Sequence, residues 1–163
     1  MNICDAIKFL EQSIPDAVSG LPEEIFLFVT RITPMVNVDL LIKDEKNRTL
    51  LSWRDDPYSG KGWHVPGGIV RFKEKLIERV RKVAEIEIGT EIEFEPVPIA
   101  INEIILPQST RGHFISFLYK GFLSGNFVPD NRGLTENENG FLKWHQGCPS
   151  NLIKVHEIYR KYI

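Results

Sequence analysis

The chain has 163 residues, 42% of them hydrophobic and 26% charged, with a formal net charge of -2. That length supports one domain with a real core and is too short for two comfortable ones, and the composition excludes a disordered chain. Balanced charge excludes a global field that would draw nucleic acid, so an anionic ligand must be held by a metal, an arginine or a helix end.

In chain order, residues 4–12 form a short amphipathic helix with Asp5 near its start. Leu21-Pro22-Glu23-Glu24 reads as a helix opening, with proline in the first turn and two acids at the positive end. The following Ile25–Thr30 is β-rich by propensity, which leaves helix and strand both open. Strands are predicted over 35–42 and 49–53, joined by the turn-rich 44–48 as a hairpin. Residues 57–68 hold four glycines and two prolines and read as a long shaped loop. The spacing predicts a helix over 74–88, then strands at 91–104 and 113–122. Beyond a polar loop at 129–140 come a short strand at 141–145 and a closing helix at 150–161. The irregular interleaving of strands and helices argues for an α+β sandwich rather than a doubly wound sheet. Cys4 and Cys148 match no metal or redox spacing and suit a reducing cytoplasm. No stretch approaches the ~18 apolar residues of a membrane span. The expected protein is cytoplasmic, with neither membrane nor nucleic acid as partner.

On a helix at about 100° per residue, Leu76, Ile77, Val80, Val83 and Ala84 share one arc, and Glu87 falls in its middle. A carboxylate centred on a buried stripe is costly unless a cation or donor meets it. Two readings stay open from geometry alone: Glu87 points into water just before a glycine cap, or it meets a cation. Glu78, Arg79, Arg81, Lys82 and Glu85 occupy the other arc and read mostly as a solvated face. Upstream, Gly67 and Gly68 let the backbone approach an oxygen-rich ligand, and carbonyls in such a turn are hard donors suited to magnesium or manganese.

The run Gly62-Trp63-His64-Val65-Pro66-Gly67-Gly68, followed by Glu74, Lys82, Glu87 and Gly89, resembles the signature of the Nudix hydrolases, G-x5-E-x7-R-E-U-x-E-E-x-G-U. Gly68, Glu74 and Glu87 match it, and Lys82 stands where arginine is usual. Val83 and Ile86 replace two acids, and Thr90 replaces the last aliphatic. This thinning is similar to that of the GDP-mannose mannosyl hydrolase branch, and fainter similarity covers most of residues 22–163. The resemblance implies one Nudix-like hydrolase domain over 1–163, with 1–21 as an N-terminal extension. The implied fold is a Nudix-type α/β/α sandwich around a mixed, mostly antiparallel curved sheet. It also implies a single magnesium or manganese ion on Glu87, the Gly67 carbonyl and Glu138. Asp39, Arg54 and Gly68 are the implied substrate-binding residues, and Arg54, Lys82 and Glu138 the implied catalytic ones; Arg71 joins the first set as an arginine on the same side of the extended chain, and His113 the second because it opens the strand that would face the cleft.

Two departures shape the expectation. The branch has an arginine directly after the second glycine; here Ile69 follows, and Arg71 lies two residues on. Counting back from Trp144 reaches Glu138 and Asn139 where the branch has a glutamine and a histidine, and an asparagine cannot accept a proton at neutral pH. Glu136, Glu138 and His113 are therefore the candidate bases, with Glu136 reading foremost as a solvated loop residue, while His64 reads as packing against substrate and His145 and His156 as structural. The expected function is magnesium-dependent hydrolysis of a nucleoside diphosphate derivative, a nucleotide sugar foremost. The alternative is a non-catalytic binding module on the same fold, and a homodimer fits either.

Overall fold

The computed structural model describes residues 2–163. Its elements are α1 (Ile3–Gln12), α2 (Glu23–Val29), β1 (Met35–Lys43), β2 (Thr49–Asp56), β3 (Gly60–His64), β4 (Gly67–Ile69) and α3 (Leu76–Val83). A π-helical turn, Ala84–Ile88, extends α3 and is followed by β5 (Glu93–Phe94), β6 (Ala100–Ile105), β7 (His113–Phe122), β8 (Leu142–His145) and a 3-10 helix, Lys154–Tyr159.

All eight strands join one sheet along the path β3-β2-β1-β7-β5, with β4 on β1, β6 on β7 and β8 on β2. The β1–β7 pair is parallel, and the remaining pairs are antiparallel. Strand alternation divides the core. Val38, Leu40 and Ile42 pack under Val80, Val83, Ala84 and Ile88 of the α3 unit. On the opposite face Leu41 and Leu118 meet Trp53, Trp63, Leu152 and Tyr159. Trp53 and Trp63 sit edge to face at 5.2 Å, a pairing worth roughly 1 kcal/mol beyond its buried area. The result is the expected α+β sandwich.

Several local expectations need correction. Residues 57–68 are not one loop: β3 pairs with β2 through Ser52–His64 and Trp53–Trp63, and β4 pairs with β1. Glycine content suggested a loop, but a ready ladder partner overrides weak propensity. The 91–104 strand is broken between Phe94 and Ala100, because Pro96 and Pro98 have no N–H to give a ladder. The 150–161 helix shrinks to Lys154–Tyr159, since Asn151 and Ile153 first bond to the backbone of Trp63 and hold the chain extended. The undecided 25–30 run is helical as α2, with Glu23 and Glu24 in its first turn. Both cysteines are free thiols. Among the described residues no helix is long and apolar enough to cross a membrane.

Candidate functional site

The floor of the site is the β1–β4 pairing, which sets Gly67 opposite Asp39 and Gly68 opposite Val38. Pro66 O accepts from Leu40 N at 2.8 Å, and Val70 N donates to Val36 O at 2.9 Å. Antiparallel bonding alternates, so this phase turns the Gly67 carbonyl away from the β1 ladder and leaves it free for a ligand. A methyl on Gly67 would run into the Asp39 carboxylate and lie 2.8 Å from Val38 O. One on Gly68 would sit 2.8 Å from Val83 Cγ2 and 3.3 Å from Arg79 Cδ. Both glycines are required by close approach.

Glu74 clamps this floor to the helix. Its carboxylate accepts Arg71 N–H and Arg79 Nε–H, each at 2.8 Å, and its other oxygen lies 3.2 Å from Lys82 Nζ. Arg79 is therefore buried, correcting the reading of it as part of a solvated face. Burial alone would raise the Glu74 pKa, but the Arg71 N–H, Arg79 and Lys82 outweigh it and hold the group below its ordinary value.

The wall is the end of α3. The Ala84–Ile88 turn is wound as a π-helix, with Gly89 N donating to Ala84 O and Gly89 closing it in the left-handed conformation at φ 77°. Widening the last turn shifts the faces that follow. Ile88 is buried and Ile86 is exposed, while Glu87 lines the cleft with its side chain 24% accessible.

Two buried histidines meet here in opposite tautomers. His64 Nδ1 lies 2.8 Å from Ser52 O, which can only accept, so the neutral ring carries its proton on Nδ1. Its Nε2 is buried, has no hydrogen-bond partner and lies 3.6 Å from Glu87 Oε2. His156 Nδ1 accepts Val65 N–H at 3.0 Å, which puts the proton on Nε2 and makes the ring a donor. Burial drives the His64 pKa down against the opposing pull of Glu87, and drives the His156 pKa well below its usual value.

Beneath the cleft Asp39 is buried among hydroxyls. Its Oδ2 accepts the Tyr159 hydroxyl at 2.6 Å and the Ser116 hydroxyl, and those two hydroxyls are 2.7 Å apart. Burial raises the Asp39 pKa from 3.8 to about 6; bonds from Ser116, Tyr159 and Asn37 oppose the rise, and the charge on Glu87 adds to it. A folded pKa above the unfolded one means stability that is full below about pH 4 and lost as pH rises through about 6, on the order of 3 kcal/mol. Asp39→Asn is expected to flatten that fall, read as urea midpoints measured from pH 4.5 to 7.5.

The outer rim carries two arginines. Arg54 Nε is 3.6 Å from Asp56 Oδ2. Arg111, at φ 54°, lays its guanidinium 4.9 Å from the Tyr58 ring centre and 5.7 Å from that of Phe26. Its Nε is buried without a partner. Burial lowers the Arg111 pKa, Asp56 opposes this, and the like charge of Arg54 lowers it further.

A cavity of about 470 Å³ brings together Asp39, Arg54, Gly67, Gly68, Arg71 and Glu87 among the residues expected at a site. Lys82, His113 and Glu138 are not among the residues lining it. Lys82 is held on Glu74, and His113 faces Glu103 at 3.4 Å, on the strand face opposite to cleft-lining Phe114. Glu138 is exposed and accepts Thr135 N–H within its own loop. Beside it, Asn139 donates to Asp55 O at 3.0 Å and lines an adjoining recess shared with Arg54, His64, Glu87 and Arg111. Sequence reasoning passed over Arg111 and Tyr58, which lie in loops with no local pattern, and reads His156 as structural, although it lines the cleft. Among the described residues no group of three or more His, Cys, Asp or Glu is placed to hold a metal ion. What the cleft does offer is Glu87, the free Gly67 carbonyl and the orphaned His64 nitrogen, a donor set that fits one open-sided cation.

No family model matches the chain. Low-salt glycan biosynthesis protein Agl8 of Haloferax volcanii is 32% identical over 75 residues, 46% of this chain and 47% of that protein. The chain thus spans about half the length of that relative. Among solved structures, a MutT Nudix hydrolase from Burkholderia pseudomallei superposes with a TM-score of 0.64 at 21% identity, covering 80% of this chain and 98% of that one. A Nudix-family hydrolase from Clostridium perfringens gives 0.58 at 16% identity, covering 80% and 97%. A Nudix hydrolase from Nitrosomonas europaea gives 0.55 at 20%, covering 69% and 72%. Glycine floor, α3 wall and mixed sheet together make up the Nudix hydrolase fold, and that is the fold of this chain.

Proposed function

We infer that the protein is a divalent-cation-dependent hydrolase of a nucleoside diphosphate joined to a further group, with a nucleotide sugar such as GDP-mannose as the favoured class. One observation carries the reading: a single cleft is lined by Glu87, the glycine floor of Gly67 and Gly68, and the two arginines Arg54 and Arg111. Two neighbouring guanidiniums in a half-buried site repel each other, and a diphosphate between them removes that cost while accepting charge-assisted hydrogen bonds. Glu87 and the Gly67 carbonyl would hold magnesium or manganese, whose chemistry is to neutralise the diphosphate as the bond to it breaks. Arg71 extends the positive rim. Asp39 has one oxygen taken by Ser116 and Tyr159, which leaves the other to accept from a ligand hydroxyl. His156 presents an Nε2–H donor, and the ring of Tyr58 is a flat surface for a base or sugar. The glycan-biosynthesis name of the archaeal relative supports the nucleotide-sugar class. We take residues 1–163 as one domain, with 1–21 an extension whose helix α1 buries none of its residues.

A non-catalytic binding module has one observation in its favour. Val83 and Ile86 stand where the resemblance calls for acids, and with Val83 buried and Ile86 exposed neither adds a ligand. A panel of nucleoside diphosphate sugars with magnesium or manganese separates the readings: turnover supports the hydrolase, and thermal stabilisation without any product supports the binder. In oxygen-18 water, label in the phosphate reports attack at phosphorus and label in the freed sugar reports attack at carbon. Arg111→Met keeps the contacts with Phe26 and Tyr58 but loses the charge. It is expected to weaken binding of a nucleoside diphosphate by roughly 10-fold to 100-fold, measured by calorimetry, with a shallower salt dependence.

A further inference from the structure

We propose that His64 and Glu87 form a mixed nitrogen–oxygen site that prefers a first-row transition cation, manganese or cobalt, over magnesium. The inference rests on the reading of this cleft as a cation and diphosphate site, and it adds a ligand and a metal preference to it.

Electron pairs supply the first argument. With one proton on Nδ1, held by Ser52 O at 2.8 Å, the neutral His64 ring shows a lone pair at Nε2, whereas a protonated ring would pair with Glu87. That nitrogen is buried, without a hydrogen-bond partner and beside the Glu87 carboxylate. At 3.6 Å the gap is too long for a hydrogen bond between them. His156 does not supply the missing donor, its ring centre lying 6.0 Å away. Two acceptors thus face each other in a partly dehydrated cleft, and something electropositive belongs between them.

Distance admits a cation. A water about 2.85 Å from both atoms would see them about 80° apart, which hydrogen bonds bent by roughly 10–15° still reach, so water is the competing occupant and the manganese signal decides between them. An ion about 2.1 Å from each would subtend roughly 120°, within the range of common coordination geometries. The arrangement behind the ring agrees: metal-ligating imidazoles usually give their other N–H to a backbone carbonyl or a carboxylate, and Ser52 O is such a partner.

Ligand chemistry sets the preference. Magnesium favours an all-oxygen octahedron. An imidazole nitrogen favours the later ions of the first row, in rising order from manganese through cobalt. With no third His, Cys, Asp or Glu joining among the described residues, backbone, ligand oxygens and water complete the shell, which keeps the site open and exchangeable.

The test uses the full chain loaded with manganese, without substrate. Pulsed electron paramagnetic resonance is expected to show nitrogen-14 modulation from a directly bound imidazole. Competition calorimetry is expected to show manganese favoured over magnesium by at least ~10-fold. His64→Gln should abolish the modulation and bring the two ions close to parity. His156→Gln should keep the modulation, and this control decides the case if His64→Gln fails to fold. Absence of nitrogen modulation in the manganese-loaded wild type, failure to bind manganese, or loss of the signal in His156→Gln overturns the proposal. These readouts need no turnover. Nitrogen-bound manganese without hydrolysis of any diphosphate defeats the hydrolase reading alone, and hydrolysis with an all-oxygen manganese signal defeats this inference alone.

Discussion

Glu87→Gln is expected to cut cation-dependent turnover by at least ~100-fold, in line with the removal of a charged group from a metal site. The same substitution should leave the fold intact. Glu87 reaches the cleft partly exposed, and its Oε2 lies 3.6 Å from the His64 nitrogen. Glutamine has the same shape, and its amide can donate to that nitrogen where the carboxylate cannot. The metal-free variant should therefore unfold at a temperature equal to or above that of the wild type. Turnover assays with added cation and thermal melts without it check the two halves separately. Unchanged hydrolysis in Glu87→Gln sinks the hydrolase reading. A collapsed melting temperature shows that Glu87 is structural and that the loss of activity is indirect.

The second large effect concerns stability. Glu74→Ala removes the carboxylate that Arg79 and Lys82 share, and the Glu74 and Arg79 side chains are only 3% and 8% accessible. Breaking a buried pair from one side strands the remaining charge, at a cost of about 3–5 kcal/mol. For a domain of this size that corresponds to a fall in Tm on the order of 10 °C. The double variant Glu74→Leu with Arg79→Met should recover much of the loss, because the stranded charge is gone and apolar volume fills its place. Failure of the double variant to recover would show that the Arg71 N–H bond, rather than the ion pair, carries the effect. The pH signature has the opposite sign to that of Asp39. The Glu74 pKa is held low, so its contribution is present at neutral pH and is lost as pH falls from the ordinary carboxylate range through the lowered value. Acid should therefore loosen the α3 clamp while relieving the charge on Asp39.

Both effects reach the cleft through packing. Arg79 carries the Glu74 ion pair and lies against the Gly68 position, where an added methyl would come within 3.3 Å of its Cδ. Loss of Glu74 therefore bears on the height of the glycine floor as well as on the melting temperature. Interiors pack closely enough to transmit such a shift.

Much of the fold was legible because its signals are periodic and local. Val80, Val83 and Ala84 recur at helical spacing and are buried against β1. Val38, Leu40 and Ile42 alternate and share that core. Gly67 and Gly68 read from sequence as room for a ligand, and the structure gives them a second reason: Asp39 and Val38 leave no space for a methyl on the first, nor Val83 on the second. The elements misread were those whose state depends on a partner: β3 exists because β2 lies beside it, and the chain before Lys154 stays extended because Trp63 binds it.

The candidate site divides along the same line. By itself the sequence determined a carboxylate at the end of an amphipathic helix, a glycine run before it, and Asp39 and Arg54 on neighbouring strands. Helical and strand geometry place such residues whatever the rest of the chain does. Only the tertiary structure decided that Arg79 is buried and that Arg111 leans across Tyr58 into the rim. It alone decided the tautomers of the two cleft histidines: His64 takes its proton position from Ser52 and His156 from Val65, the latter pair 91 residues apart in the chain. A hydrogen-bond partner fixes where an imidazole keeps its proton, and such a partner comes from the fold rather than from neighbours in the sequence.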